Sequence, residues 1–553
     1  MIFLCNIERL VMTDLAHARV DVHVNRHMPL RRIWRYVGYD EPNYTYTPNG
    51  RELLGKLGRL ADAPYYVRCH FLLCSGDGTG RLKWGSTNVY TEDEAGKPVY
   101  DWTLIDRILD TYLETGHVPF VEIGFMPQAL STAPEGVRYD DPRHGGWRYP
   151  PRDMGRWLEL VRNLAEHCLA RYGMAEVSRW YWELWNEPDI FYWTGGVEEY
   201  CRLYDYTEAG LHAVLPQALL GGPATTSGME RPESSAFLRA FLEHCTHGVN
   251  AVSGRRGTRL DYISFHAKGG GYTANAGAAK LTPTLYTLTG NVAAGLEVIA
   301  DFPELRGLEV VLSECDPDGW AAGAIRDNPN LFYRNTEYYA SYVAGVACKL
   351  IDLKAANDLG AAVRVDAMLT WAFQFENEEF FAGLRTLSTN GVDKPVLNVF
   401  RLLARLGSMR LHLASSAGRD PRQHPGGDAA DAPPDVCGIA AVDGTGRIQV
   451  LLCSHHDDWD VTTRTAVQVS LTGFAAGARY AVTASTVDAT HSNAHTAWVE
   501  LGRPQSPDAE QLAALQRAAR LETENLGEWS VTDEALSLEV AAHSVCLLEY
   551  TPL

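Results

Sequence analysis

Between residues 30 and 405 the chain alternates short apolar runs with longer stretches in which apolar residues recur every three or four positions. Runs of the first kind read as strands buried on both faces, and stretches of the second kind as helices with one packed face. The strand candidates are Ile33 to Tyr39, Tyr65 to Leu73, Val118 to Phe125, Trp180 to Trp185, Leu219 to Pro223, Tyr262 to His266, Leu308 to Ser313 and Met368 to Phe375. Between the third and fourth, Trp157, Leu160, Val161, Leu164, Cys168 and Leu169 fall on one face of a helix over Met154 to Tyr172 that Gly173 stops. A second helix, from about Val197 to Val214, ends before Pro216 and separates the fourth strand from the fifth. Eight such units are the arithmetic of a (β/α)8 TIM barrel, whose chemistry sits at the C-terminal ends of its strands.

The pattern changes after about residue 410. Ser415 to Pro434 is rich in Gly, Pro, Ala and Asp and reads as a surface excursion. Ile439 to Val442 and Ile448 to Leu452 flank Asp443-Gly444-Thr445-Gly446 as a hairpin, Leu536 to Val540 and Val545 to Tyr550 are closing strands, and a helix from Asp508 to Leu521 interrupts them. The fold class expected is therefore α/β: a TIM barrel with an accessory C-terminal β-sandwich. Residues 1–29 would add a strand, Val20 to Val24, to the sandwich; residues 30–408 would form the barrel, and residues 409–553 the sandwich with its one inserted helix.

Composition narrows the class. A chain of 553 residues with 46% hydrophobic content is too large for one core and too apolar for disorder. Its net charge of −20 repels phosphate, which excludes a nucleic-acid partner and favours an uncharged substrate. The 11 cysteines include no C-x-x-C pair, so neither a zinc site nor a disulfide framework is indicated, and a reducing compartment is the simpler reading. Met1 to Met12 carries Glu8 and Arg9 and lacks the long apolar core of a signal peptide. A cytoplasmic location follows as the expectation; an export signal upstream would make the protein periplasmic or secreted. No apolar run approaches the roughly 18 residues of a membrane span. The histidines are dispersed without ligand spacing, and Gly269-Gly270-Gly271 lacks the G-x-G-x-x-G form, so no metal and no cofactor are expected. Oligomeric state stays open.

The chemistry-bearing stretch is Trp182-Glu183-Leu184-Trp185-Asn186-Glu187-Pro188, which ends the fourth strand and leaves Asn186 and Glu187 at the barrel mouth. Alternation points Glu183 and Trp185 to one side and Leu184 and Asn186 to the other, until Pro188 breaks the strand. Glu314 ends the apolar run Leu308 to Ser313 at the seventh strand. Two carboxylates across one barrel mouth are what glycoside cleavage needs, one to protonate the leaving oxygen and one to attack the anomeric carbon. About 5 to 5.5 Å between them means retention of configuration, about 6.5 to 9.5 Å inversion.

Asn-Glu-Pro in this setting, continued by Glu199-Tyr200, Leu203-Tyr204, Thr207 and Gly221-Gly222-Pro223-Ala224-Thr225, resembles glycoside hydrolase family 39. That family contains β-xylosidases, α-L-iduronidases and enzymes acting on α-L-arabinosides, on a barrel accompanied by a β-sandwich. The resemblance implies a retaining double displacement with Glu187 as acid/base and Glu314 as nucleophile. It implies that His70 of Arg68-Cys69-His70 and His266 of Ser264-Phe265-His266 hold sugar hydroxyls, that Trp371 forms an apolar floor for the sugar, and that Glu378, beside Glu379, binds a hydroxyl. Asn186 joins the substrate-binding set.

Two segments depart from the xylosidase pattern. Glu314-Cys315-Asp316-Pro317-Asp318-Gly319-Trp320 and His266-Ala267-Lys268-Gly269 look more like the iduronidase branch, in which the matching lysine helps hold the substrate carboxylate. Lys268 would then pair with a uronate or neutralise local acids; the acidity of the whole chain favours neutralisation and a neutral pentoside of plant polysaccharide, a β-D-xyloside or an α-L-arabinoside. Trp320, with Tyr272, Phe332 and the inserts Asp77 to Tyr100 and Asp316 to Asn330, would wall the mouth and favour exo action on an oligosaccharide end, releasing one sugar or a short arabino-oligosaccharide. Two other readings stand beside this one: an iduronidase-like uronide hydrolase, and a catalytically silent barrel that binds oligosaccharide, against which the presence of both glutamates counts.

Overall fold

The structure is a computed structural model describing residues 15–60, 63–229, 231–272, 277, 279–356, 362–422, 432–474, 477–530 and 535–553. Its first strand, β1 (Ala16–Pro29), belongs to a separate sheet, and, short two-stranded ribbons aside, eight strands close a parallel barrel: β2 (Tyr36–Tyr39), β3 (Tyr66–Cys69), β4 (Val118–Ile123), β5 (Tyr181–Leu184), β6 (Leu219–Thr225), β7 (Tyr262–Lys268), β8 (Glu309–Asp316) and β9 (Ala367–Trp371). Neighbours in the chain are neighbours in the barrel, and β9 closes it against β2. Every apolar run expected to be a strand contains one; only the ends shift by a few residues, where pairing frays.

The apolar runs exist because both strand faces are covered. Tyr36, Tyr66, Phe120, Tyr181 and Tyr262 fill the lower barrel interior together with Val311 and Leu369, the Tyr36 and Tyr66 rings stacked at 4.8 Å. Side chains two residues further along each strand point the same way one layer higher. That layer holds Arg68, Glu122, Glu183 and Trp371. It also holds Gly38 and Gly221, whose smallness is enforced: a Cβ on Gly38 would lie 2.5 Å from the Trp371 ring, and one on Gly221 2.4 Å from the Tyr262 ring. The barrel is thus apolar and sealed below, charged above.

Helix Met154–Tyr172 forms where expected, its start capped by Asp153 accepting from the Gly155 and Arg156 N–H groups and its end marked by Gly173 at φ 80°. Helix Val197–His212 follows β5. Helix Glu337–Leu350 is buried all round from Tyr338 onward because it lies between the barrel and the second sheet.

That sheet has nine strands: β1, β10 (Met409–Ser415), β11 (Asp435–Val442), β12 (Ile448–His455), β13 (Arg464–Thr472), β14 (Arg479–Val487), β15 (Thr523–Ser530), β16 (Leu536–Ala541) and β17 (Ser544–Pro552), in the order β15-β14-β17-β12-β11-β10-β1-β13-β16. It curls until Val467 and Val469 of β13 share one core with Val450 of β12 and Tyr550 of β17. β1 runs antiparallel to β10 and parallel to β13. One expectation is corrected: two helices interrupt these strands, Ala494–Glu500 and Ala509–Ala518, each with its own side-chain cap, Asn493 and Asp508. The first is too short for a periodicity to declare it. Met1 to Met12, and residues 423–431 of the Ser415 to Pro434 excursion, lie outside the described residues. No helix among the described residues is long and apolar enough to cross a membrane.

Candidate active site

The charged upper layer of the barrel is organised by one cation. Arg68, fully buried, donates through Nε to Glu183 at 2.6 Å, through Nη2 to Asn186 Oδ1 at 3.1 Å and Glu122 at 2.9 Å, and through Nη1 to Glu314 at 3.5 Å. Glu122 and Glu183 sit opposite each other on paired strands, so their repulsion in a dry interior demands a fork-shaped cation between them. The carboxylates hold Arg68 above its ordinary basicity despite its burial.

β5 ends earlier than expected, and this corrects the alternation assigned to it. Trp185 takes φ 65° and Glu187 φ 44°, so Asn186 turns back toward the side of Glu183 and both meet Arg68. Left-handed backbone at residues with a Cβ costs on the order of 1 kcal/mol each and needs fixing from outside. The Trp185 indole donates to Tyr192 O at 3.0 Å, and the Glu187 N–H to Ala224 O at 2.9 Å. Ala224 is itself at φ 51°, in a bulge between Pro223 and Thr225 of β6. A second bulge, between Leu312 and Glu314, carries Glu314 inward to pair with His266 rather than ending β8, which continues to Asp316.

These bends bring the two glutamates together. One carboxylate oxygen of Glu187, one of Glu314 and a ring nitrogen of His266 lie within 4.8 Å of one another. His266 Nδ1 is 2.9 Å from Glu187 Oε1 and 3.8 Å from Glu314 Oε2. The surroundings differ sharply. Glu314 is flanked by Lys268 Nζ at 2.6 Å, His70 Nε2 at 3.3 Å and Arg68, whereas Glu187 meets the His266 imidazole. Burial alone would favour the neutral acid at Glu314, but Lys268, His266 and His70 hold its carboxyl well below the usual range. His70 is likewise buried, yet Glu122 at 2.6 Å from Nδ1, with Glu314 and Asp40, pushes it up to about 9. The three groups nearest one another have the spacing to ligate a cation, but the donors around Glu314 already occupy it.

Lys268 lies between Glu314 and Asp316, 2.5 Å from the latter, and Asp316 also meets Arg385 Nη1 at 3.3 Å and accepts the Trp371 N–H at 2.8 Å. Lys268→Met is expected to move the acid limb of the kcat/KM profile up by about one pH unit, because the ammonium favours the ionised Glu314 and its loss lets that carboxylate take a proton at higher pH. A pH profile of the folded variant checks this; an unmoved limb would show that Lys268 does not govern Glu314.

The other expected residues divide. Asn186, His70, His266, Lys268 and Trp371 join the network, Trp371 with its ring 4.4 Å from that of His70 and 5.3 Å from the Arg68 guanidinium. His70 and Trp371 are almost wholly buried, so they brace Glu314 and Arg68 as much as they face the cleft. Trp320 stands on the loop after β8, half-buried, its carbonyl taking a bond from Arg334. Glu378 lies apart: among the described residues it pairs with Arg326 at 3.4 Å and makes no bond to either glutamate. Phe332 packs its ring on Trp459 of the loop between β12 and β13, away from the glutamates' contacts. Glu122, Asp40 and Arg385 carried no expectation, and Asp316, expected to open the insert that walls the mouth, instead ends β8 fully buried. Glu122 had a signal, an acid inside the otherwise apolar run Val118 to Ile123, which asks for a buried cation.

Comparison with known proteins agrees with this geometry. A family model described as glycosyl hydrolases family 39 matches residues 18–534. The chain is 26% identical over 453 residues to a β-xylosidase of Caldicellulosiruptor saccharolyticus, covering 80% of this chain and 81% of that one. It is 27% identical over 548 residues to the α-L-iduronidase of Canis lupus familiaris, covering 92% and 73%. The crystal structure of a monomeric β-xylosidase from Caulobacter crescentus CB15 superposes with a TM-score of 0.73 at 24% identity, covering 97% of this chain and 99% of that one.

Proposed function

Because the chain belongs to glycosyl hydrolase family 39 and is a glycoside hydrolase, we propose that it acts with retention of configuration, Glu314 as nucleophile and Glu187 as acid/base, on a neutral pentoside at the end of an oligosaccharide. The observation that carries the mechanism is the proximity of the two carboxylates, within 4.8 Å, with cations gathered on Glu314 alone. Inversion needs room for a water between the acids, about 6.5 to 9.5 Å between carboxyl groups, and oxygens as near as 4.8 Å favour the closer, retaining arrangement. Glu314 attacks the anomeric carbon while Glu187 gives its proton to the leaving oxygen; the glycosyl ester on Glu314 is then opened by a water whose proton passes to Glu187. His266, 2.9 Å from Glu187, orients that carboxyl for both steps.

Charge matching supports a neutral sugar, either a β-D-xyloside or an α-L-arabinoside of plant cell-wall polysaccharide. Each cation of the upper layer already has its carboxylate: Arg68 has Glu183 and Glu122, Lys268 has Glu314 and Asp316, and Arg385 has Asp316. A uronate would have to draw Lys268 away from one of two buried acids, which costs several kcal/mol unless the newcomer replaces the pair in full. A second reading, an iduronide hydrolase, is favoured by the convergence of Lys268 and Arg385 on Asp316, which places two positive groups side by side next to Glu314.

A matched aryl-glycoside panel separates these readings: β-D-xyloside, α-L-arabinosides in both ring forms and α-L-iduronide. The neutral pentosides are expected to exceed the iduronide by at least about 100-fold in kcat/KM, the factor that one unmatched buried charge of roughly 3 kcal/mol supplies. The reverse order would transfer Lys268 and Arg385 to carboxylate recognition, and silence across the panel would support a binding-only barrel.

A further inference from the structure

A hollow of about 980 Å³ opens between the loops that follow β3 and β4, on the same face of the barrel as Glu187 and Glu314. It is at the upper end of the range of about 300–1,000 Å³ typical of ligand sites. Its wall carries the polar side chains of Thr79, Asn88 and Gln128 and three charged ones: Arg81 and Asp140, matched to each other at 2.7 Å, and Asp77, whose carboxylate accepts the Thr79 N–H at 2.9 Å. The one cation of the wall is already matched and the remaining groups are hydrogen-bond donors and acceptors, so the chemistry on offer is that of a hydroxyl-rich ligand without acid groups.

The hollow is built in advance of any ligand. The Tyr139 hydroxyl donates to Met126 O at 2.7 Å and accepts the Ser75 N–H at 3.0 Å, and Ser75 Oγ accepts the Gln128 N–H at 3.0 Å, which ties the two loops together. The Arg81 guanidinium lies 5.2 Å over the Trp84 ring, and that ring packs at 5.2 Å on Phe71, the residue after His70. Between Arg81 and Trp84, Lys83 turns the other way: its ammonium binds Asp40 at 2.9 Å, Asp40 stands 3.4 Å from His70 Nε2, and His70 Nε2 is 3.3 Å from Glu314. One loop thus leads through Lys83, Asp40 and His70 to Glu314 and lines the hollow with the neighbours of Lys83.

We propose that this hollow holds the leaving-group side of the substrate, a neutral oligosaccharide segment that continues past the cleaved bond. The inference rests on the glycosidase reading above. An oligosaccharide leaving group then gains contacts that a nitrophenyl group cannot make, and binding energy remote from the cleaved bond is used for positioning, so the gain appears in kcat/KM.

The test uses Gln128→Ala, whose side chain makes no internal hydrogen bond among the described residues, together with Asp77→Asn and the double variant in the full chain. Each is assayed on the aryl pentoside that the panel selects and on the corresponding tri- or tetrasaccharide, and the ratio of the two kcat/KM values is compared with that of the wild type. The ratio is expected to fall about tenfold in the double variant, the loss of one or two hydrogen bonds. A ratio that stays at the wild-type value overturns the proposal, as does a wild-type enzyme that gains nothing from a longer leaving group. Failure of the wild type on every aryl glycoside strikes the catalytic reading instead.

Discussion

Glu314→Ala is expected to lose at least about 10⁴-fold in kcat on any substrate, since it removes the atom that forms the covalent intermediate rather than a group that assists it. Folding is expected to survive: the change deletes one of three buried acids near Arg68, which keeps Glu183 and Glu122. Thermal unfolding of the variant against wild type separates loss of chemistry from loss of structure. With an activated leaving group and azide, the alanine variant is expected to form a glycosyl azide of opposite anomeric configuration, because the small anion enters from the face Glu314 vacated. Full activity, or an azide adduct of unchanged configuration, would take the nucleophile's role away from Glu314.

Glu187→Ala is expected to respond differently to the leaving group. Proton donation contributes about 10²- to 10⁴-fold, and it matters most where the departing oxygen is basic. On a natural oligosaccharide the variant should fall by about 10³-fold, while an aryl substrate with an acidic phenol should still react in the first step and stall in the second. Azide, replacing the water that Glu187 would activate, should restore turnover and give a product of unchanged configuration. Equal losses on both substrates without rescue would assign the proton transfer elsewhere, with His266, 2.9 Å from Glu187, the first residue to examine.

How far the molecule could be read in advance follows from which signals are local. The eight barrel strands were legible because a strand buried on both faces must be apolar along its length, and short turns bound each run. Glu187 and Glu314 drew attention because each follows such an apolar run at the mouth, although β5 stops earlier, at Leu184, and β8 runs on past Glu314 to Asp316. Arg68, on β3, and His70, just past its end, drew attention through the family resemblance, but the reason for them, Glu122 and Glu183 facing each other across β4 and β5, is a contact between strands that no linear pattern records. Glu378 shows the opposite case: nothing in a loop's sequence says which way it turns, and this one sets its acid beside Arg326. In the second sheet β13 alternates buried and exposed residues cleanly, whereas β15 is exposed over most of its length and owes its strand form to pairing with β14 alone.

The position of β1 governs the timing of assembly. It lies between β10 and β13, so the strand made before the barrel completes its pairing only with a segment about 450 residues further on. At a synthesis rate of about 5–20 residues per second, Val20 and Val22 stay uncovered for roughly 20–90 s while the barrel emerges. Throughout that interval the nascent chain carries an unpaired, half-apolar ribbon whose free edge is open to pairing with other chains.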